Sequence, residues 1–156
     1  MADRLLPRVG REIETHLSQT EKQIVMLIVE DQELMRRMLR EYLQSAYPQA
    51  DILEAADGAA GLEVCRRRSP HVVLMDVGLP DANGIDLTVQ IREMLPQTVV
   101  IVVSQHSAEA YVEGARAAGA FAYISKDKVY RELLPTVSRA LGRAPAPDMD
   151  METCND

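Results

Sequence analysis

Val72-Val73-Leu74-Met75-Asp76-Val77-Gly78-Leu79-Pro80-Asp81-Ala82-Asn83-Gly84-Ile85-Asp86-Leu87 is the stretch whose reading decides the fold. Its first four residues are apolar without alternation, as in a strand covered on both faces of a parallel sheet. Asp76 ends that run with a carboxylate, Asn83-Gly84 marks a turn, and residues 85–94 take helical spacing. A buried strand thus delivers one acid to its carboxyl end before the chain turns into a helix.

The same unit recurs on either side. Apolar runs at 24–29, 50–53, 99–103 and 120–124 read as further strands. After Asp31, residues Leu34, Met35, Met38, Leu39, Tyr42 and Leu43 return at helical spacing, with Arg36, Arg37, Arg40 and Glu41 on the other side. Residues 59–67, 108–118 and 133–141 read as further helices. This alternation predicts an α/β fold, a doubly wound five-stranded parallel sheet with helices on both faces. Right-handed crossovers leave few topologies, and the flavodoxin-like order 2-1-3-4-5 is the expectation. Pro135 fits only if the last helix starts near Tyr130 or Arg131, leaving the proline close to its first turn.

With 156 residues the chain fits one domain and short appendages. We read 1–21 as an N-terminal arm, 22–142 as the domain and 143–156 as a disordered acidic tail. Leu5, Val9, Ile13 and Leu17 repeat every four positions, which permits an amphipathic helix over 8–19 with Pro7 before it. That helix either packs on its own domain or serves dimerisation or partner binding, so a homodimer is one expectation. A net charge of -7 argues against direct nucleic-acid binding by the chain itself. Arg66, Arg67 and Arg68 read as a solvated helix end. Cys65 and Cys154 lie far apart, the N-terminus lacks the apolar core of a signal peptide, and no stretch is apolar enough to span a membrane. A reduced, cytoplasmic compartment follows as the expectation.

Function is sought at the carboxyl ends of the strands, where ligands collect in such sheets. Glu30-Asp31, Asp76, Ser104 and Ser125-Lys126 all stand there. Three converging carboxylates repel one another by ~4 kcal/mol per pair at about 4 Å with a surface-like dielectric. A divalent cation removes that penalty, and oxygen ligands without a His/Cys set favour Mg²⁺ over zinc. A carboxylate nucleophile can form an acyl phosphate, while the metal and Lys126 neutralise charge on the transferred group.

Those residues lie in the segments IVMLIVED (24–31), VVLMDVGLPDANGIDL (72–87), VVIVVS (99–104) and GAFAYISKD (119–127). Over 23–141 the chain resembles the response-regulator receivers of two-component signalling, a CheY-like family. The resemblance implies that Asp76 is the phosphoacceptor, loaded by a histidine kinase or phosphotransferase. It implies Mg²⁺ on Glu30, Asp31, Asp76 and the main-chain carbonyl of Gly78. Ser104 would be the switch hydroxyl, Tyr123 the switch aromatic and Lys126 the phosphate-contacting lysine. An output protein would dock on the face of the fourth helix, fifth strand and fifth helix. No enzyme activity is implied beyond Mg²⁺-dependent self-phosphorylation and dephosphorylation.

Several particulars depart from that pattern. Ser125-Lys126-Asp127 resembles the NarL/FixJ-type subgroup, whose receivers precede a helix-turn-helix DNA-binding domain. The chain is too short for one, so a stand-alone regulator is expected, with a fragment of a DNA-binding transcriptional regulator as the alternative. Gln105 stands where the family usually has a small residue, and its length would restrict access of phosphodonor or water. That feature keeps open a phosphorylation-independent pseudo-receiver, an interaction module on the same fold. His106 holds a position that in the family tunes dephosphorylation, though it also reads as a surface loop histidine. A haloacid-dehalogenase-like phosphatase would need a second aspartate where Gly78 stands.

Overall fold

The computed structural model describes residues 23–142; the expected N-terminal helix and acidic tail lie outside them. The chain alternates β1 (Val25–Val29), α1 (Glu33–Ala46), β2 (Asp51–Ala55), α2 (Gly58–Arg68), β3 (Val72–Met75), α3 (Gly84–Met94), β4 (Val99–Ser104), α4 (Glu109–Ala117), β5 (Ala122–Ser125) and α5 (Val129–Ala140). A single 3-10 turn, Lys126–Lys128, links β5 to α5. All strand pairs are parallel, in the order β2-β1-β3-β4-β5. This is the flavodoxin-like order expected from the sequence.

Burial explains the apolar runs. Every residue of β1 and β3 is buried, whereas the edge strands β2 and β5 are only partly so. Successive side chains go to opposite faces. Met26, Ile28, Leu74, Ile101 and Ile124 pack on one face beneath Leu39 and Leu43 of α1 and Leu133 and Val137 of α5. Leu27, Val29, Val73, Met75 and Val100 pack on the other beneath Cys65 of α2 and Leu87 and Ile91 of α3. Each such side chain contributes ~1.5–3 kcal/mol through burial. A smaller cluster of Val77, Val102 and Ala115 seats α4 beside Tyr111 and Tyr123.

Two local expectations change. The last helix begins at Val129 rather than 133, close to the start near Tyr130 or Arg131 that Pro135 calls for, and the proline falls in its second turn. Its missing N–H would have bonded the carbonyl of Arg131; Pro135 is exposed, so water can serve that carbonyl instead. Arg36 is not on a solvated face of α1. It is 17% exposed and lies against β2, with Nε 2.9 Å from Glu54 Oε1.

Candidate functional site

Adjacent parallel strands set the site. Val29 pairs with Met75, so Glu30-Asp31 and Asp76 leave the sheet side by side. Carboxylate oxygens of Glu30, Asp31 and Asp76 all lie within 4.8 Å of one another. Glu30 and Asp76 are 1% and 7% exposed, while Asp31 faces solvent. Lys126, at the end of β5, reaches across with Nζ 2.9 Å from Glu30 Oε1 and 3.6 Å from Asp76 Oδ2.

The protein alone leaves this cluster under-compensated. Burial pushes the Glu30 carboxyl above the ordinary carboxylate range; the hydrogen bonds from Lys126 and the Gln32 N–H oppose that rise, and the Asp76 charge adds to it. Asp76 is likewise raised, chiefly by burial. The Lys126 cation and the N–H groups of Val77 and Gly78 pull it down, and the Asp31 charge pushes it up again. Three carboxylates against one ammonium, two of them buried, form a hard-oxygen donor set with charge to spare. These residues fit a small dication that prefers oxygen, as Mg²⁺ does.

Main-chain contacts hold the acids in place. The Glu30 N–H bonds Ala55 O at 3.0 Å, its carbonyl accepts from Arg36 Nη1 at 2.8 Å, and its Oε2 accepts from Gln32 N at 3.0 Å. Asp76 N–H bonds Val29 O at 3.1 Å. Behind Asp76 the chain doubles back: Gly84 N–H bonds Val77 O at 2.8 Å, and a Cβ on Gly84 would sit 1.9 Å from Asp76 O. Only glycine fits there.

Ser104 is fully buried at the end of β4, and its Oγ accepts from His106 N at 3.1 Å. The Tyr123 hydroxyl donates to the His106 carbonyl at 2.5 Å. Ser104 and Tyr123 are therefore joined through one residue's main chain. The His106 ring stacks on Tyr111 of α4, with centroids 4.5 Å apart and planes at 18°. Gln105 is exposed and lines an open cleft of about 510 Å³ with Ser107, Ser125, Lys126, Asp127 and Lys128. Gly78 is also exposed and forms an isolated bridge with Asn83.

Sequence reasoning brought together Glu30, Asp31, Asp76 and Lys126, and it placed Ser104 at the neighbouring strand end. It missed Arg36, Asp81 and the steric role of Gly84. Asp81 accepts from the N–H groups of Gly58 and Ala59 at 2.8 and 3.0 Å, tying the loop after β3 to the start of α2. The Asn83-Gly84 pair signalled a turn but not the close approach that demands the glycine.

The family profile described as response regulator receiver domain matches residues 26–138. The chain is 32% identical to the chemotaxis protein CheY of Halobacterium salinarum, over 74% of this chain and 95% of that one. It is 33% identical to the uncharacterized transcriptional regulatory protein YxjL of Bacillus subtilis, over 79% of this chain. The match spans 56% of YxjL, little more than half its length. Among solved structures, the signal receiver domain of the putative response regulator NarL from Mycobacterium tuberculosis superposes with a TM-score of 0.69 at 31% identity, covering 78% of this chain and 98% of that one. With the fold, the acidic cluster and the lysine in agreement, the chain belongs to the response regulator receiver domain family.

Proposed function

We propose that the chain is a phosphorylation switch in which Asp76 accepts a phosphoryl group from a histidine kinase or phosphotransferase. Receiver domains are in general non-enzymatic signalling modules that bind Mg²⁺ and interact with kinases and output domains. One observation supports the reading most: two buried carboxylates and one exposed carboxylate share an edge with a single lysine. An Asp76 carboxylate oxygen would attack phosphorus as the phosphohistidine N–P bond breaks, leaving an acyl phosphate on Asp76 and a neutral imidazole once its nitrogen is protonated. Glu30, Asp31, Asp76 and the Gly78 carbonyl would hold Mg²⁺, which supplies positive charge to the transferred oxygens. Lys126 would turn from the free carboxylates to the phosphoryl group.

Ser104 would pass the event outward. Its hydroxyl can donate to a phosphoryl oxygen, and the bond from His106 N–H makes the following loop move with it. Tyr123, held on the same residue's carbonyl, would carry the change to the face of α4, β5 and α5, where an output protein docks. Gln105 and His106 are the residues proposed to set donor access and phosphate lifetime. We further read 22–142 as the receiver, the chain as cytoplasmic, the N-terminal arm as packing on its own domain or serving a homodimer or a partner, and direct DNA contact as absent from this chain.

The test is incubation with phosphoramidate and Mg²⁺, followed by intact mass. Wild type should gain the mass of one phosphoryl group and Asp76→Ala none. Equal labelling of both would remove Asp76 from its role, and no labelling of either would favour the phosphorylation-independent interaction module.

A further inference from the structure

We infer that Arg36 is a positioning residue that sets the metal affinity of the acidic cluster by bracing the Glu30–Asp31 peptide from β2. The inference rests on the reading of Glu30, Asp31 and Asp76 as a cation site. Arg36 lies in the first turns of α1, yet its guanidinium is largely buried and uses two arms at once. Nη1 donates to the main-chain carbonyl of Glu30 at 2.8 Å, and Nε donates to Glu54 Oε1 at 2.9 Å. Glu54 is itself placed by β2, paired in register with Ile28, and its second oxygen accepts from Arg40 Nη1 at 2.9 Å.

The consequence is geometric. Asp31 is exposed, so the peptide that precedes it governs where its carboxylate stands. That peptide's carbonyl belongs to Glu30, whose N–H is fixed by Ala55 of β2. Arg36, reaching from α1 and anchored on Glu54 of β2, therefore closes the second side of a residue already held on the first by Ala55 of the same strand. Repulsion among three carboxylates favours splaying of the loop, and a planar fork that binds a carbonyl and a carboxylate together resists it.

Charge and position predict opposite outcomes, which makes the proposal testable. As a mere cation beside the cluster, Arg36 repels a metal, and its removal would tighten metal binding. As a brace, its removal would loosen binding, on the order of the tenfold loss seen when groups that orient metal ligands are removed. Arg36→Lys keeps the charge but has no fork to span both acceptors, and it should bind nearly as weakly as Arg36→Ala.

Mn²⁺ binding to the full chain, followed by electron paramagnetic resonance, reads this directly, with metal-free melting temperatures recorded alongside. We expect wild type to bind, Asp31→Ala to bind poorly, and Arg36→Ala and Arg36→Lys to bind about tenfold more weakly than wild type at temperatures where each is folded. Unchanged or tighter binding by both Arg36 variants would overturn the brace. Failure of wild type itself to bind would instead overturn the cation site on which the inference stands.

Discussion

Cys65 lies fully buried between α2 and the sheet, and burial pushes its thiol up to about 11 despite the nearby Arg66 cation. Only the thiolate attacks a disulfide reagent, and at pH 8 about one thiol in a thousand would be ionised. In a Cys154→Ser chain we therefore expect no reaction with a chromogenic disulfide at pH 8 until denaturant is added; prompt native reactivity would contradict this burial. Glu54 supplies a pH-dependent counterpart. Burial raises its carboxyl, but hydrogen bonds from Arg36 and Arg40 outweigh that and hold it below the ordinary range. A carboxyl depressed in the folded state stabilises the fold above its unfolded pKa of about 4.3 and loses that contribution as pH falls through the folded value. Because Glu54 and Arg40 sit at the solvent-accessible edge of the sheet, the interaction is worth only ~0.2–1 kcal/mol after screening. Glu54→Gln should thus melt slightly lower than wild type at pH 7, and the two should converge as acid takes pH below the depressed folded value. A gap that persisted unchanged in acid would assign the effect to something other than this carboxylate. The apolar run that marks the second strand ends at residue 53, before Glu54, and nothing in the sequence announces two arginines reaching over from α1.

At the level of elements, the starts of two helices are unequally visible in the sequence. The start of α3 was legible because Asn83 caps it through Ile85 N–H at 2.7 Å and Gly84 follows, both of them strong local signals. The start of α5 was not legible. Lys126–Lys128 wind as a 3-10 turn straight into Val129; the helical spacing alone puts the boundary at residue 133, and only the proline asks for a start near Tyr130 or Arg131. What decided the matter was tertiary: Val129 and Leu133 fill the core beside Ile124 and leave no alternative to an earlier helix. Pro135 is consequently a local cost accepted for packing. It is exposed, so alanine adds no clash, restores the bond to Arg131 O and removes a residue that costs ~3 kcal/mol in a helix interior. Proline also restricts the unfolded chain, which offsets about 1 kcal/mol of that gain. Pro135→Ala should accordingly stabilise the domain by ~1–2 kcal/mol in denaturant unfolding. A loss of stability would show that the carbonyl of Arg131 has no use for the restored donor.

Across the whole molecule, the strand order and the functional edge were legible for one reason. Parallel strands all end on the same side, so a residue's position after its strand is also its position in space. That logic placed Glu30, Asp31, Asp76 and Lys126 without reference to contacts. It could not show the chain of bonds from Ser104 through His106 to Tyr123, because main-chain donors and acceptors have no signature in sequence. His106 drew attention as a titratable side chain, yet the structure uses its N–H, its carbonyl and its ring face against Tyr111. This path makes a specific prediction about communication. If Asp76 is the acceptor as proposed, beryllofluoride with Mg²⁺ should stand in for its phosphoryl group and shift the amide signals of residues 104–128 in wild type. Ser104→Ala removes the hydroxyl at the β4 end of this path while leaving the Tyr123 bond to His106 in place. In that variant the shifts should stay near Asp76 and the metal residues, and the signals of Tyr111 and Tyr123 should hardly move. Coupling of the usual 1–3 kcal/mol corresponds to roughly a 5–150-fold change in the population of the switched state, well within reach of the measurement. If Tyr123 responded fully without the Ser104 hydroxyl, the signal would have to travel by another route, and His106 would be a loop residue rather than the joint.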